Sequence, residues 1–163
     1  MNCISLINGK FKDQISVHDR GLFYGDGFFE TMLWKKIDKE EKSENIIEYW
    51  KQHFERLKKG CDLMKINIPQ EKEFIADIQK ILKKSIDYGL KSGLIKLIIS
   101  RGVGGRGYKF EKNMKPTIIF LSYPRPIYKK EFYTTGVNVK ICQTKLYYHD
   151  RLFGLKHLNR LDS

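Results

Sequence analysis

The sequence predicts a mixed α+β domain over residues 1–123, in which short strands accompany two amphipathic helices. Asn8-Gly9 lies between two apolar runs and is the pair most typical of a tight hairpin turn, so it predicts antiparallel strands. Past Tyr49 the apolar residues change to a 4-3-4-3 spacing, which is typical of a helix with one buried face. Hydrophobic residues make up 41% of the 163 residues, which is enough to form a core.

The strands are predicted from short apolar runs bounded by turn residues. They cover residues 3–6, 11–17, 28–34, 46–47, 94–100, 117–123 and 137–142, with a charged hairpin tip at 35–42. The helices are predicted from apolar positions that recur on one face. They cover residues 49–64 and about 69–90.

The chain divides after residue 123. Pro124-Arg125-Pro126 interrupts the pattern there and predicts a linker. The remaining segment, residues 124–163, is too short to enclose a core of its own. It therefore either packs against the first unit or begins a second unit that this chain does not complete.

The net charge of +12 favours an anionic partner or substrate. However, 24 of the 31 basic residues are lysines, which are spread along the chain and mostly interleaved with acids. No zinc-finger spacing, basic zipper or RNA-recognition signature occurs, so a nucleic acid is not the predicted partner. A basic module that binds polyanions stays open as the alternative from a different functional class.

The sequence favours a reduced, cytoplasmic protein. No apolar run reaches the roughly 18 residues of a membrane-spanning helix, and no basic leader with an apolar stretch opens the chain. The cysteines, Cys3, Cys61 and Cys142, are odd in number and widely spaced. This pattern fits neither a disulfide framework nor a zinc site, and no metal is predicted.

Four stretches contain the residues that chemistry could use. They are Asp19–Thr31, His53–Leu57, Ser100–Tyr108 and Gly154–Leu161. The first combines glycines and aromatic residues at a sharp turn, and the second places Arg56 beside the apolar stripe of a helix, where its planar donors suit a phosphate or carboxylate. The third is a loop of glycines and arginines suited to an anion, and the fourth contains Lys156.

Each of these stretches also has an ordinary structural interpretation. Aromatic residues near glycines occur in bulged hairpins, and a helix arginine commonly pairs with a nearby acid. The glycine-rich loop is neither a P-loop nor a dinucleotide fingerprint, and a lone lysine is normally solvated. The residues alone leave these alternatives open.

Together and in this order, the four stretches resemble the fold-type IV pyridoxal-phosphate enzymes, the class IV aminotransferase family. The resemblance covers the whole chain, and the loop Ser100–Tyr108 and the ending Gly154–Leu161 look most like the aminodeoxychorismate lyases of that family. It implies the small N-terminal domain, an antiparallel sheet with two helices, over residues 1–123. It also implies a linker and the incomplete beginning of the larger cofactor-binding domain over residues 124–163.

The resemblance also assigns roles to single residues. It implies that Lys156 is the catalytic lysine that condenses with the aldehyde of pyridoxal 5'-phosphate, and that Arg56 binds the cofactor phosphate. Arg106 and Tyr108 match positions that hold the substrate carboxylate in the D-amino-acid aminotransferases. Phe29 matches a pocket position that faces the substrate.

Departures from the aminotransferase patterns favour the lyase reaction. The D-amino-acid aminotransferases usually carry Tyr at the position of Phe29 and His at that of Tyr108, and the branched-chain enzymes usually have Gly at that of Thr31. The implied reaction converts 4-amino-4-deoxychorismate to 4-aminobenzoate and pyruvate in folate synthesis. The substrate carries two carboxylates that need cationic partners, and Arg106 and also Arg101 are candidates for this role. A class IV aminotransferase is the alternative.

The resemblance implies further properties of the protein. Its substrate is a small anion, and the intact enzyme is a cytoplasmic homodimer. In this family the larger domain supplies the carboxylate that pairs with the pyridine nitrogen, and no such domain follows Lys156 within the 163 residues. We therefore expect the chain by itself to bind the cofactor weakly and to turn over little.

Overall fold

The computed structural model describes residues 3–38, 43–143 and 150–161 and contains a six-stranded sheet. In chain order the elements are β1 (Ile4–Ile7), β2 (Lys10–Phe11), α1 (Arg20–Tyr24), β3 (Gly27–Asp38), β4 (Ser43–Ile47), α2 (Trp50–Leu63), α3 (Glu71–Asp87), β5 (Ser92–Ser100), β6 (Thr117–Pro124) and α4 (Glu131–Thr134). The strand order is β2-β1-β6-β5-β3-β4, and every neighbouring pair is antiparallel. The predicted α+β class is confirmed.

The two faces of the sheet differ because successive side chains of a strand point to opposite sides. In β5, Ile95, Leu97 and Ile99 are buried, whereas Leu94, Lys96 and Ile98 between them are half-buried. The register of β3 on β5 opposes Phe29 to Ile98, Thr31 to Lys96 and Leu33 to Leu94. We call the side formed by these six residues the open face.

The other face packs against α2 and α3. Each helix presents the predicted apolar stripe, with Leu57 and Cys61 buried on α2 and Phe74, Ile78 and Ile81 buried on α3. These side chains form one core with the buried residues of β3, β5 and β6. Full burial of one such side chain contributes about 1.5–3 kcal/mol, so this core is the main source of stability.

Two predicted strands are wrong. After the turn, β2 covers only Lys10–Phe11, and the rest of the predicted strand 11–17 is irregular, with Val17 exposed. Residues 137–142 are also irregular, and Val139 and Ile141 are almost fully exposed. Alternating apolar residues form a strand only where a neighbouring edge can accept their backbone hydrogen bonds, and these segments have no paired edge in the described residues.

Other elements were not predicted or are not described. The short helices α1 and α4 did not appear in the sequence pattern, because one or two helical turns are too few to show a period. Residues 39–42 of the predicted hairpin tip lie outside the described residues. The sheet ends at Pro124, and the division of the chain after residue 123 stays a prediction. Among the described helices, none combines the length and apolar character that crossing a membrane requires.

The three cysteines should differ sharply in reactivity. Cys3 and Cys142 are exposed, whereas Cys61 is buried, and this burial raises the pKa of its thiol to about 12. Because only the thiolate reacts rapidly, iodoacetamide at pH 8 should label Cys3 and Cys142 in the folded chain and spare Cys61. Peptide mass spectrometry, with a urea-unfolded sample as the control, checks this. Equal labelling of all three in the folded chain would contradict the described core.

Candidate active site

Lys156 is positioned by a short stretch of antiparallel pairing along β3. Phe29 N–H donates to the carbonyl of Lys156 at 2.8 Å, and Leu158 N–H donates to the carbonyl of Gly27 at 3.0 Å. β4 pairs with β3 from Trp34 onward, so the first part of β3 offers a free edge. Residues 156–158 occupy this edge, and Lys156 lies opposite Phe29.

The pairing also determines which face the lysine side chain occupies. Leu155, on one side of Lys156, is 5% exposed and belongs to the helix-side core. Since side chains alternate along an extended segment, Lys156 points to the opposite side, as Phe29 does. Its Nζ atom lies 4.7 Å from the centroid of the Phe29 ring. The sequence-predicted lysine and pocket residue therefore lie together on the open face.

A second lysine lies beside the same ring. Lys96 Nζ, on β5, is 5.1 Å from the Phe29 centroid. Ammonium groups are attracted to the negative face of an aromatic ring. Two amines beside Phe29 make this part of the open face positively charged. Lys96 has no role among the predictions from the sequence, although a lysine that interrupts an apolar strand is the signal that could have identified it.

Arg56 is held by a buried carboxylate on the neighbouring residue of β3. Glu30 is 1% exposed and accepts hydrogen bonds from Arg56 Nε at 2.6 Å and Nη2 at 2.5 Å. His53 Nδ1 lies 2.7 Å from the same carboxylate and, since a carboxylate only accepts, Nδ1 carries the hydrogen. The sequence indicated neither Glu30 nor this use of His53, because the pairing requires the β3–α2 contact.

The ion pair leaves Arg56 able to bind a second anion. The hydrogen bonds that Arg56 donates to Glu30 raise the pKa of Arg56 above its ordinary value, although partial burial opposes this. The guanidinium is therefore charged at neutral pH. Glu30 occupies Nε and Nη2. Within the part of the chain that the structure describes, Nη1 has no hydrogen-bond acceptor, so it remains as a donor on a side chain that is 38% exposed. The ion pair expected as the ordinary interpretation of Arg56 is present and is compatible with a phosphate site.

Arg106 and Tyr108 lie on the loop between β5 and β6, and both are exposed. Their loop contacts α1 rather than Lys156: Tyr108 packs against the ring of Tyr24, with centroids 5.4 Å apart. The structure thus places these two residues at the end of the sheet where β3 begins and β5 ends. Their predicted role toward a substrate carboxylate is a proposal that the geometry leaves open to test.

Arg101 has a different use from the one considered from the sequence. It is 3% exposed, and its Nε and Nη2 donate to the Asp26 carboxylate at 2.7 and 3.0 Å. Its other bonds go to the carbonyls of Met64 and Lys65 at the end of α2. Arg101 therefore fixes the loop to the helix and is not directed toward a substrate.

Asp26 connects several parts of the site. Besides Arg101, it accepts a hydrogen bond from Arg20 Nε at 3.0 Å, and Arg20 is also buried. One carboxylate thus joins α1, the start of β3 and the β5–β6 loop. Gly27, which follows, has no room for a side chain, because a Cβ there would collide with the Ile99 carbonyl and lie 2.9 Å from Leu158 Cδ1. The bonds to Asp26 and the close packing at Gly27 bring three of the four stretches to one end of the sheet. These are Asp19–Thr31, Ser100–Tyr108 and Gly154–Leu161.

The described cavity does not coincide with the candidate site. It has a volume of about 530 Å³ and opens between β1, β2 and the end of α3, with Ser5, Phe11 and Lys84 in its wall. None of its lining residues belongs to the four stretches that contain the candidate site. The assignment of the site therefore depends on the arrangement of charged side chains. Among the described residues, no cluster of His, Cys, Asp and Glu could hold a metal ion.

Comparison with known proteins identifies the class to which this fold and site belong. The family model of the class IV aminotransferases matches residues 27–163. The chain belongs to this family, whose members are pyridoxal-phosphate enzymes. It is similar to the aminodeoxychorismate lyase of Vibrio harveyi, with 30% identity over 158 residues, covering 96% of this chain and 53% of that protein.

Two further relatives show how the similarity is distributed. The crystal structure of 4-amino-4-deoxychorismate lyase from Pseudomonas aeruginosa aligns with a TM-score of 0.79 and 34% identity, covering 98% of this chain and 54% of that one. D-alanine aminotransferase of Staphylococcus haemolyticus is 31% identical over 127 residues, covering 74% of this chain and 42% of that protein. The chain thus spans about half the length of the relatives that it matches.

The described residues include the two kinds of group that the cofactor of this family requires. A phosphorylated aldehyde requires a primary amine for condensation and cationic donors for its phosphate. Lys156 supplies the amine on the open face. Arg56 supplies a charged donor group that Glu30 holds in place, and because Glu30 follows Phe29 on β3, this group lies on the helix side of the same stretch of strand. The confirmed family membership and this donor set agree, whereas the assignment of each residue stays a prediction.

The Asp26 cluster should dominate the stability of this end of the sheet. Asp26→Asn removes the charge between Arg20 and Arg101, which are both 3% exposed, and leaves two buried cations without a carboxylate. We expect a loss of about 3 kcal/mol in the free energy of unfolding.

Urea denaturation of the variant checks this expectation, with Asp77→Asn as the matched control. Asp77 pairs with Lys80, whose side chain is 51% exposed, so the control should lose less than about 0.5 kcal/mol. Equal losses in the two variants would contradict a structural role for Asp26.

Proposed function

We propose that this chain contributes the reactive amine and the phosphate-binding arginine of an aminodeoxychorismate lyase. The observation that carries the proposal is the position of Lys156 Nζ on the open face, 4.7 Å from the ring of Phe29. The similarity to the two lyases extends over 96% and 98% of the chain, against 74% for the D-alanine aminotransferase. These relatives support the lyase reaction over transamination.

Each proposed residue has a task that follows from its chemistry. Arg56 holds the cofactor phosphate through the donors that Glu30 does not use. Lys156 would hold the cofactor through its aldehyde, and once the substrate amine has taken its place, the free Lys156 amine would lie next to the reacting carbon. Pyridoxal phosphate, when bound, supplies an electron sink for the pair of electrons left on that carbon.

Lys156 is also the proposed proton carrier. Once released, its amine accepts the proton from the ring carbon that bears the substrate nitrogen. Elimination then breaks the ether bond between the ring and the enolpyruvyl oxygen, the leaving group takes up one proton to become pyruvate, and the ring becomes aromatic. The products, 4-aminobenzoate and pyruvate, account for all the atoms of the substrate.

Binding of the substrate needs cations, because 4-amino-4-deoxychorismate carries two carboxylates. Lys96 lies on the open face beside Phe29, and Arg106 lies on the exposed loop beyond it. We propose that these two side chains bind the carboxylates while Phe29 forms a wall of the pocket and Tyr108 lines its outer end. Binding of a small anionic substrate also explains part of the net positive charge of the chain, so a nucleic-acid partner is not needed to explain it.

A class IV aminotransferase is the second candidate. The 31% identity to D-alanine aminotransferase of Staphylococcus haemolyticus favours it. Phe29 and Tyr108 count against it, because each lacks the group that the D-amino-acid aminotransferases usually carry at the same position. Because the chain belongs to the class IV aminotransferase family, no separate observation supports the alternative that it is a basic polyanion-binding module.

The assembly of the enzyme is part of the proposal. We infer a cytoplasmic homodimer in which residues 1–123 form the small domain and residues 124–163 begin the larger one. Apolar side chains after the sheet support a further contact, because Ile127 and Ile141 are 98% and 94% exposed. Exposed apolar side chains of this kind are typical of a surface that another domain or subunit covers.

The nature of the products tests the proposed reaction. The protein is translated from its gene up to the gene's own stop codon, loaded with pyridoxal phosphate and supplied with 4-amino-4-deoxychorismate. We expect 4-aminobenzoate and pyruvate in equal amounts, and no more than a trace from Lys156→Ala. Lys91→Ala, at an exposed lysine outside the site, is the matched control and should match the unaltered protein.

A parallel sample receives D-alanine or a branched-chain amino acid together with 2-oxoglutarate. Conversion of the amino acid to its 2-oxo acid, without formation of 4-aminobenzoate in the first sample, would replace the lyase by an aminotransferase. Formation of 4-aminobenzoate by Lys156→Ala at the normal rate would remove the lysine from the reaction.

A further inference from the structure

We infer that α1 is a spacer that sets the distance between the Lys156 segment and the loop that carries Arg106, and that Tyr24 is its positioning residue. The inference rests on the proposed function, in which the substrate amine takes the place of Lys156 on the cofactor and Arg106 binds a carboxylate. It adds an explanation of how the protein fixes the separation between these two groups.

One side of α1 lies against the segment that follows Lys156. The contacts occur at Gly21 and Gly25, where a Cβ would lie 3.5 Å from Leu158 Cδ1 and would collide with the Asn159 carboxamide, respectively. Gly25 also has a φ of 59°, which favours glycine. Asn159 Nδ2 donates to the Gly25 carbonyl at 3.4 Å. Because Gly25 permits this close approach of Asn159 and Leu158 packs near Gly21, α1 and the Lys156 segment hold each other in place.

The other side of α1 holds the loop. Arg20 Nη1 and Nη2 donate to the carbonyls of Gly107 and Tyr108 at 3.0 and 3.2 Å. In the opposite direction, Gly107 N–H donates to the Tyr24 hydroxyl at 3.1 Å. Arg106 directly precedes Gly107. The backbone from which the Arg106 side chain extends is therefore fixed by both a donor and an acceptor on α1.

Tyr24 is the contact that can be removed without loss of the fold. Arg20 is buried and bonded to Asp26, so a change there would disturb the cluster that joins three elements. Tyr24 is half-buried, and its ring has three neighbours of its own: the Tyr108 ring at 5.4 Å, the Phe23 ring at 6.0 Å and the Arg20 guanidinium at 4.5 Å. Phenylalanine would keep these ring contacts and lose only the bond to Gly107.

The spacer has a consequence for substrate choice. A substrate whose amine has taken the place of Lys156 reaches Arg106 only if its carboxylate lies at the distance that α1 imposes. Freeing Gly107 lets the Arg106 backbone move, so the carboxylate binds less tightly while the reactive amine stays in place. Tyr24 thus acts through Arg106 and touches neither the cofactor nor the reacting atoms.

The test compares Tyr24→Phe with Tyr133→Phe, a matched control at a tyrosine that is 77% exposed and lies outside the site. Both variants are made in the protein translated from its gene up to the gene's own stop codon. Three quantities are measured: the hydrogen exchange of peptides that contain Gly107, the steady-state constants for 4-amino-4-deoxychorismate, and the fraction of Lys156 that borohydride fixes to pyridoxal phosphate.

We expect Tyr24→Phe to speed exchange at Gly107 and to raise KM by about two- to tenfold, the range for one lost hydrogen bond. kcat and the modification of Lys156 should change by less than about twofold, because the amine and its pairing with β3 are untouched. The control should leave all three unchanged.

Two outcomes overturn the inference. The first is an unchanged KM in Tyr24→Phe, and the second is a parallel loss of substrate and cofactor binding, which would indicate a general effect on folding. Arg106→Ala separates this inference from the proposed function. If Arg106→Ala leaves KM unchanged, the assignment of Arg106 to a carboxylate fails and the spacer fails with it. If Arg106→Ala raises KM and Tyr24→Phe does not, the spacer alone is wrong.

Discussion

The site depends on the antiparallel pairing between residues 156–158 and the free edge at the start of β3. Two backbone hydrogen bonds, at 2.8 and 3.0 Å, determine that Lys156 lies opposite Phe29. A shift of one residue would exchange the two faces, so that Lys156 would enter the core and Leu155 would lie on the open face. Burial of Leu155 opposes that shift, and hydrophobic packing thereby fixes the position of the reactive amine.

Charge is arranged around this pairing in two ways. Buried carboxylates hold arginines that organise the site: Asp26 binds Arg20 and Arg101, and Glu30 binds Arg56. On the open face, Lys96 and Lys156 lie beside one aromatic ring. The buried cations contribute to shape, whereas the half-buried and exposed cations remain available to an anion. The net charge alone could not distinguish these uses, because it does not show which basic residues have acidic partners.

The sequence was most informative where a pattern is local. The helix stripes of α2 and α3, the turn at Asn8-Gly9 and the strands β5 and β6 follow from spacing, and the order of four stretches indicated the family. The strands expected at 11–17 and 137–142 failed, because pairing depends on an edge that spacing does not show. Glu30, Lys96 and Tyr24 were missed for the same reason, since each acquires its contacts from residues distant in the chain.

The central claim is that Lys156 is the amine that condenses with pyridoxal phosphate. Reduction of the protein with borohydride in the presence of limiting pyridoxal phosphate tests it most directly. The chain contains 24 lysines, so a non-selective aldehyde would spread its label over many exposed amines. We expect peptide mapping to find the pyridoxyl group mainly on Lys156, whatever the total amount bound. A label distributed over the exposed lysines, with Lys156 no more modified than the rest, would contradict it.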